Sequence, residues 1–345
     1  GLPDDPVDCA TPGMICTAVG DGRSGFDGDG RIGVKTMLSQ PTAIRFDSDG
    51  QPIFVDFNNL RVRTIDPNGR VRTVAGTGWH AFAGDGVLAV DSPLENAIDV
   101  FPTPDGGFYV TEFHAARVLH VDAEGWLTVA AGTGDLGFTG DGGPATEARL
   151  SESVGIAVDE DGLIYVADTE NHCVRVIDPA TGVIDRLVGD GSPGGLDGSL
   201  DSASLSAPQH LEHHDGALYV ADRDNHRIRR IDLAAGTVET VAGTGFSGYS
   251  GDGGLAVDAD LNQPHAVDVT EDGALWIADS GNHVIRRVDP DGTIQTVAGI
   301  GQEGFGEDGV ALEQPLAFPH HLQVAPDGRL WIADLRSHRL RVLVP

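Results

Sequence analysis

The chain has 345 residues and a mass of 36.0 kDa, with 22 Lys and Arg against 53 Asp and Glu and a formal charge of −31. That balance argues against docking on a nucleic-acid backbone or an anionic lipid surface, both of which need clustered cations. No run of 18 uncharged apolar residues occurs, so no membrane-inserting helix is expected, and a hydrophobic content of 40% argues against wholesale disorder. The acids comprise 40 Asp and 13 Glu, and the only Lys is Lys35. Much of the Asp sits in Asp-Gly pairs that read as turns, so part of the charge belongs to the turns of the fold.

Residues 1–13 form an N-terminal extension rich in Pro and Asp. Cys9 and Cys16 lie seven apart, a spacing that fits a small disulfide loop in an oxidising compartment. No basic or apolar leader precedes them, so the start reads as mature or trimmed. An extracytoplasmic location (secreted, periplasmic or lipid-anchored) is therefore the expectation. Cys173 replaces an Arg that recurs at its position in other repeats and reads as a strand residue.

From residue 14 onward the chain repeats itself. LIYVAD at 163–168, ALYVAD at 217–222, ALWIAD at 274–279 and RLWIAD at 329–334 are each followed by a polar loop and an Arg-rich run. Divergent copies end at Asp56 and Glu112. The marker acids Asp56, Glu112, Asp168, Asp222, Asp279 and Asp334 are separated by 56, 56, 54, 57 and 55 residues, which makes six units. In the fifth unit, short apolar runs at 263–269, 275–278, 284–288 and 294–298 are divided by Asp-Gly turns and an Asn-His loop. Four such runs predict an up-and-down antiparallel sheet, and six sheets set radially predict an all-β six-bladed β-propeller over 14–345. The last unit ends after its third run. The missing fourth, MICTAV at 14–19, stands at the N-terminus, so that strand is expected to complete the last blade and close a monomeric ring.

The run D-x-x-N-H-x-I-R-R-[IV]-D, with VAGTG and GDGG between units, resembles the NHL-repeat family across residues 14–345. The resemblance implies the propeller fold but little about function, because members include RNA-binding regulators, sensor domains, adhesion modules and a zinc-dependent amidating lyase. The RNA-binding members use a basic face, which this chain lacks.

In such a ring the first strand of each unit lines the axis, and the residues after its opening Pro surround the top-face mouth. These are Thr42, Asn96, Val154, Gln209, His265 and His320, followed by Ala43, Ala97, Gly155, His210, Ala266 and His321. Four histidines, His210, His265, His320 and His321, thus gather in units four to six as candidate ligands for Zn2+ or another divalent metal, with Asn96 and Gln209 as ligand-binding neighbours. The words Pro264-His265-Ala266-Val267 and Pro319-His320-His321-Leu322 resemble the zinc-ligand motif of peptidyl-hydroxyglycine amidating lyases. Those enzymes draw their histidines from alternate blades and carry a catalytic Arg in blade one. Here His265 and His320 lie on adjacent blades, and no blade-one Arg is evident from the sequence.

The word FYVTEFHAARV resembles a repeat of streptogramin lyases, which implies a metal-binding Glu112 and a general-base His114. Arg223 and Arg336, in top-face loops, are candidates for holding an anionic substrate. The recurrent His172, His226, His283 and His338 read as structural, His213 and His214 as solvated on the opposite face, and the GDGG segments as hairpin turns. The functional expectation is a propeller with a small molecule, peptide or protein at its top-face mouth. Two alternatives stand beside it: a metal-dependent lyase or hydrolase, and a protein-interaction scaffold.

Overall fold

The structure, a computed structural model, describes residues 9–82 and 84–345. Six antiparallel sheets form the blades of a propeller. In the first, Pro41–Phe46, Pro52–Asp56, Arg61–Ile65 and Val71–Ala75 pair in chain order from the axis outward. The fifth has Ala266–Val269, Leu275–Asp279, Val284–Val288 and Ile294–Ala298, close to the runs marked out by the sequence. Met14–Val19 pairs with Arg339–Leu343 in the sixth blade, so the N-terminal strand closes the ring as expected. The Cys9–Cys16 disulfide sits at its start. Residues 1–8 of the extension lie outside the described residues.

The GDGG segments are turns as expected, with the Gly143 and Gly254 N–H groups donating to the Gly140 and Gly251 carbonyls, but they lead into outer edge strands and not between hairpin strands. Val87–Leu88, Gly143–Pro144, Gly198–Ser199 and Gly309–Val310 add short fifth strands to the outer edges of blades two, three, four and six. Single bridges at Ile32–Arg70 and Leu255–Thr293 do the same for blades one and five. The chain must travel from the outer edge of one blade to the axis of the next. Running along the next blade's edge satisfies backbone groups that would otherwise stay open. Tight turns bearing Asp and Gly also close the hairpins between first and second strands, where Asp47 and Asp159 accept backbone N–H bonds, and between third and fourth strands, where Asp66 and Asp122 do the same.

Each interface between neighbouring blades holds one apolar cluster. Between blades six and one, for example, Val19, Trp331 and Leu340 pack on Leu38, Ile44 and Phe54. Inside each blade the marker acid is fully buried and accepts the N–H of the residue leading into the first strand, as with Asp56 and Ser39 or Asp222 and Ser206. Seven residues after the marker, a buried Arg reaches back to it. Arg63, Arg175, Arg229 and Arg286 lie 2.7 to 3.5 Å from their acids. The same guanidinium groups also meet Asp29, Asp141, Asp197 and Asp252 of the outer connection.

The recurrent histidines tie blades together. The Nδ1 atoms of His172, His226, His283 and His338 accept the backbone N–H of Ala207, Gln263, Phe318 and Gln40, each in the following blade. Their role is structural, but they brace the neighbouring unit and not their own loop.

Blade two solves the marker pairing differently. Position 119 is Leu, and the guanidinium comes from Arg117, five residues after the marker, at 2.6 and 2.9 Å from Glu112. The longer carboxylate compensates for the shifted cation. Glu112→Asp should therefore lower stability by about 3 kcal/mol, because it strands a buried charge. Adding Leu119→Arg, which restores the spacing of the other blades, should recover part of that loss. Urea unfolding of the two variants checks both expectations.

Candidate functional site

Strand register fixes which residues share a level along the axis. Pairing with the second strands places Ala43, Asp99, Gly155, His210, Ala266 and His321 on one level. Thr42, Ile98, Val154, Gln209, His265 and His320 form the level above. The blade-two entry thus differs from the sequence reading by two residues: Ile98 and Asp99, not Asn96 and Ala97, face the axis. Blade two lacks the opening Pro used as a landmark, so the alignment slipped there. Counting back from the marker acid would have found Asp99, since 13 residues also separate His321 from Asp334 and Ala43 from Asp56. Asn96 is buried outside the axial cavity, in a left-handed backbone conformation.

The corrected level alternates. Blades two, four and six present Asp99, His210 and His321, and blades one, three and five present Ala43, Gly155 and Ala266. A Cβ at Gly155 would stand 2.3 Å from the Gln209 carbonyl oxygen and 2.8 Å from the His210 Cα, so the missing side chain lets the His210 backbone approach. Donor atoms of Asp99, His210 and His321 all lie within 4.8 Å of one another, and the three residues are buried. The His210 and His321 rings meet edge to face at 4.5 Å. Among the described residues, neither ring nitrogen of His321 has a hydrogen-bond partner. An imidazole buried in that condition is costly, because at least one donor or acceptor is unsatisfied.

Above them, His265 and His320 stand 5.1 Å apart. The His265 Nδ1 lies 2.9 Å from the Gln263 carbonyl and the His320 Nδ1 2.8 Å from the Thr42 carbonyl. A carbonyl only accepts, so each Nδ1 carries the proton and each Nε2 keeps its lone pair. Both levels enclose a cavity of about 10 Å3, lined by Asp99, Gln209 and the four histidines among others, with room for one water-sized body.

Below, Arg45 of blade one crosses the axis. Its Nη1 donates to Glu212 at 2.5 Å, and its Nη2 lies 2.7 Å from the His210 Nε2. Arg45 is an axial Arg of blade one that the sequence reading did not single out; strand alternation hid it among apolar neighbours. Asp268 is buried at the same depth, so three carboxylates, Asp99, Glu212 and Asp268, surround one guanidinium. Burial pushes the Asp99 carboxyl up to about 6 and also raises that of Asp268. Burial holds His210, His265 and His321 well below the usual histidine range and brings His320 to about 4. All four imidazoles are therefore neutral at pH 7, the form that coordinates metal.

The remaining candidates lie elsewhere. Arg223 and Arg336 sit on the short turns after Asp222 and Asp334, bound to Asp224 and Glu303, and their charges act on His265. The Arg336 guanidinium lies over the Phe318 ring at 4.6 Å, and that ring meets His265 edge to face. Glu112 is not part of the axial cavity. One carboxylate oxygen accepts the Glu95 N–H, the other accepts Arg117, and burial raises its pKa. Its geometry is that of a marker acid. His114 is exposed beside the Phe113 ring, away from the cavity lining.

Comparison with known proteins gives the family. The Teneurin NHL domain profile matches residues 212–305, and the NHL repeat profile matches 154–177. The chain is an NHL-repeat propeller. Human teneurin-4 is 30% identical across 89% of this chain, which spans 12% of that protein, so only a small part of the relative is represented. Among solved structures, an auxiliary nutrient binding protein from Bacteroides thetaiotaomicron superposes with a TM-score of 0.70 at 16% identity, covering 95% of this chain and 75% of that one. A streptogramin B lyase gives 0.56 at 17% identity, covering 89% and 94%. These structural likenesses concern the fold alone.

The axial acid of this NHL propeller has a measurable signature. Asp99 titrates near 6 when folded and near 3.9 unfolded, so the native state holds its proton more tightly between those values. Its ionisation costs nothing at pH 3. As pH rises from about 4 to 6 it removes up to about 1.4 kcal/mol of stability per pH unit. In chelator-treated protein, Asp99→Asn should lose that decline, so the difference between wild type and variant should grow over this window and level off above it. Urea titrations at successive pH values check the sign.

Proposed function

We propose that this NHL propeller carries a single divalent transition-metal ion on its axis and presents the mouth above it to a ligand. Asp99, His210 and His321 would hold the ion from alternate blades, with the lone pairs of His265 and His320 facing the same cavity. The observation that carries the reading is His321, whose two ring nitrogens are buried without hydrogen-bond partners among the described residues, beside Asp99 and His210. The donor set supports it. Three neutral-imidazole or carboxylate ligands suit a borderline ion such as Zn2+, and a divalent cation offsets the excess of buried carboxylates around Arg45. The Nδ1 bonds of His265 and His320 to backbone carbonyls are the kind of outer contact that orients ligating imidazoles. Binding at His210 would require Arg45 to release the Nε2 while keeping Glu212.

Arg223 and Arg336, whose charges reach His265, favour an anionic group, such as a carboxylate of a small molecule or peptide, at the mouth. The Cys9–Cys16 disulfide supports work in an oxidising, extracytoplasmic compartment. The protein is read as a monomer, since the ring is closed by its own first strand.

A second reading, a metal-dependent lyase, is favoured by one specific feature: the alternate-blade ligand set with a blade-one Arg at its side. A bound ion would supply Lewis-acid polarisation. The chain would supply anion binding through Arg223 and Arg336, and a lone pair on His265 or His320 to take a proton. The cavity itself has room for little more than an ion, so a substrate would have to sit above it.

Elemental analysis tests the proposal. Purified protein should contain about one transition-metal ion per chain. Chelation should lower the melting temperature and Zn2+ should restore it, since an ion at 100 times its dissociation constant adds about 2.7 kcal/mol. His321→Ala should abolish both effects. Protein without bound metal, whose melting does not respond to Zn2+, Mn2+ or Ni2+, would refute the reading.

A further inference from the structure

The opposite end of the axis holds a larger cavity, of about 390 Å3, at the bottom of blades one to four. Its walls come from the ends of four inner strands: Phe46 to Ser48, Phe101 to Pro104, Val158 to Glu160, and His213. Four separate blades thus form it, and their positions are fixed by ring closure and not by one mobile loop. His213, expected from the sequence to be solvated, has a side chain only 6% exposed, with its Nδ1 3.5 Å from Glu160.

We propose that this cavity binds a small organic cation, an ammonium group bearing apolar substituents. The size lies within the range of small-molecule sites. The floor is aromatic and apolar, built from Phe46, Phe101 and Pro102, and the Phe46 ring is fixed edge to face against Trp331 at 5.7 Å. The rim carries Asp47, Asp159 and Glu160, and no Lys or Arg lines the cavity. The Arg45 guanidinium lies over one face of the Phe101 ring, 5.2 Å from its centroid, and is bound to Glu212, so a ligand cation would meet the other face of that ring. Aromatic faces beneath a negative rim attract a cation whose charge is spread over alkyl groups.

A bare metal ion suits the site less well. Among the described residues, the rim acids and His213 form no set of three donor atoms within 4.8 Å of one another. The Asp47 and Asp159 carboxylates are also held by turn N–H groups, and Asp159 accepts the Tyr165 hydroxyl as well, so they stand beside the cavity as fixed charges that are not free to wrap an ion. An organic anion is excluded by the charge of the rim.

Titration of the full chain with choline, followed by calorimetry or NMR, tests this. Choline should bind saturably and more weakly as salt rises. Its neutral carbon isostere, with tert-butyl in place of trimethylammonium, should bind about tenfold more weakly or worse. Phe101→Ala should cost about tenfold in affinity. Because Phe101 also packs against the blades, the exposed Glu160→Gln provides a second variant, expected to weaken choline severalfold while leaving melting unchanged. Absence of saturation, equal binding of the isostere, or unchanged affinity in Glu160→Gln would each overturn the proposal.

Discussion

The architecture depends on one buried guanidinium in each blade. In every blade it comes from the third strand, and in four of them, through Arg63, Arg175, Arg229 and Arg286, it reaches inward to the marker acid and outward to the connection running along the blade's edge. Arg341 keeps the outward half of this arrangement through the carbonyls of Gly306 and Glu307. Desolvating an Arg and an Asp together is expensive, and burial raises the Asp168, Asp279 and Asp334 carboxyls to about 6, 7 and 6. Such pairs add little net stability compared with apolar packing, but they have one good geometry. Here that geometry sets where each outer connection lies, and so where the next inner strand begins. The levels of side chains along the axis inherit their alignment from it.

Much of the fold was legible because its grammar is repetitive. The six marker acids, the four runs per unit and the displaced first strand were enough to give blade number and closure. The outer edge strands were not, because a strand of two residues, Val87–Leu88 as much as Gly143–Pro144, is too short to show a hydrophobic period. The axis was legible only in part. His210, His265, His320 and His321 do converge, yet Asp99 was missed where blade two loses its Pro and exchanges Asp for Glu. Arg45, Glu212 and Asp268 escaped for another reason. They alternate with apolar residues on inner strands whose sheets are buried on both faces, where a charged residue looks like noise until the opposite blade is known.

The axis is far from symmetric. Upper histidines, a mixed acid and imidazole level, and a single transverse Arg follow one another downward, and the lower mouth opens onto aromatic rings. Six near-equal repeats have therefore diverged mainly at the hub. Drift there changes a binding surface without disturbing the interfaces between blades, which rest on Ala, Val, Ile and Leu in every unit. The strong negative charge has the same two-part origin: turn and connection acids shared by all units, and a few acids placed individually.

The way the ring is fastened has a mechanical consequence. Met14–Val19 and Arg339–Leu343 are antiparallel neighbours, and Ile15 stands opposite Leu343, so the chain enters and leaves the sheet at the same end of that pair. Tension between those two points would peel the seam open like a zip, one backbone link at a time, instead of loading every link at once. Because Met14 and Ile15 also pair with Val310 and Gly309, such a peel would have to break links on both sides of the clasp strand at its first step.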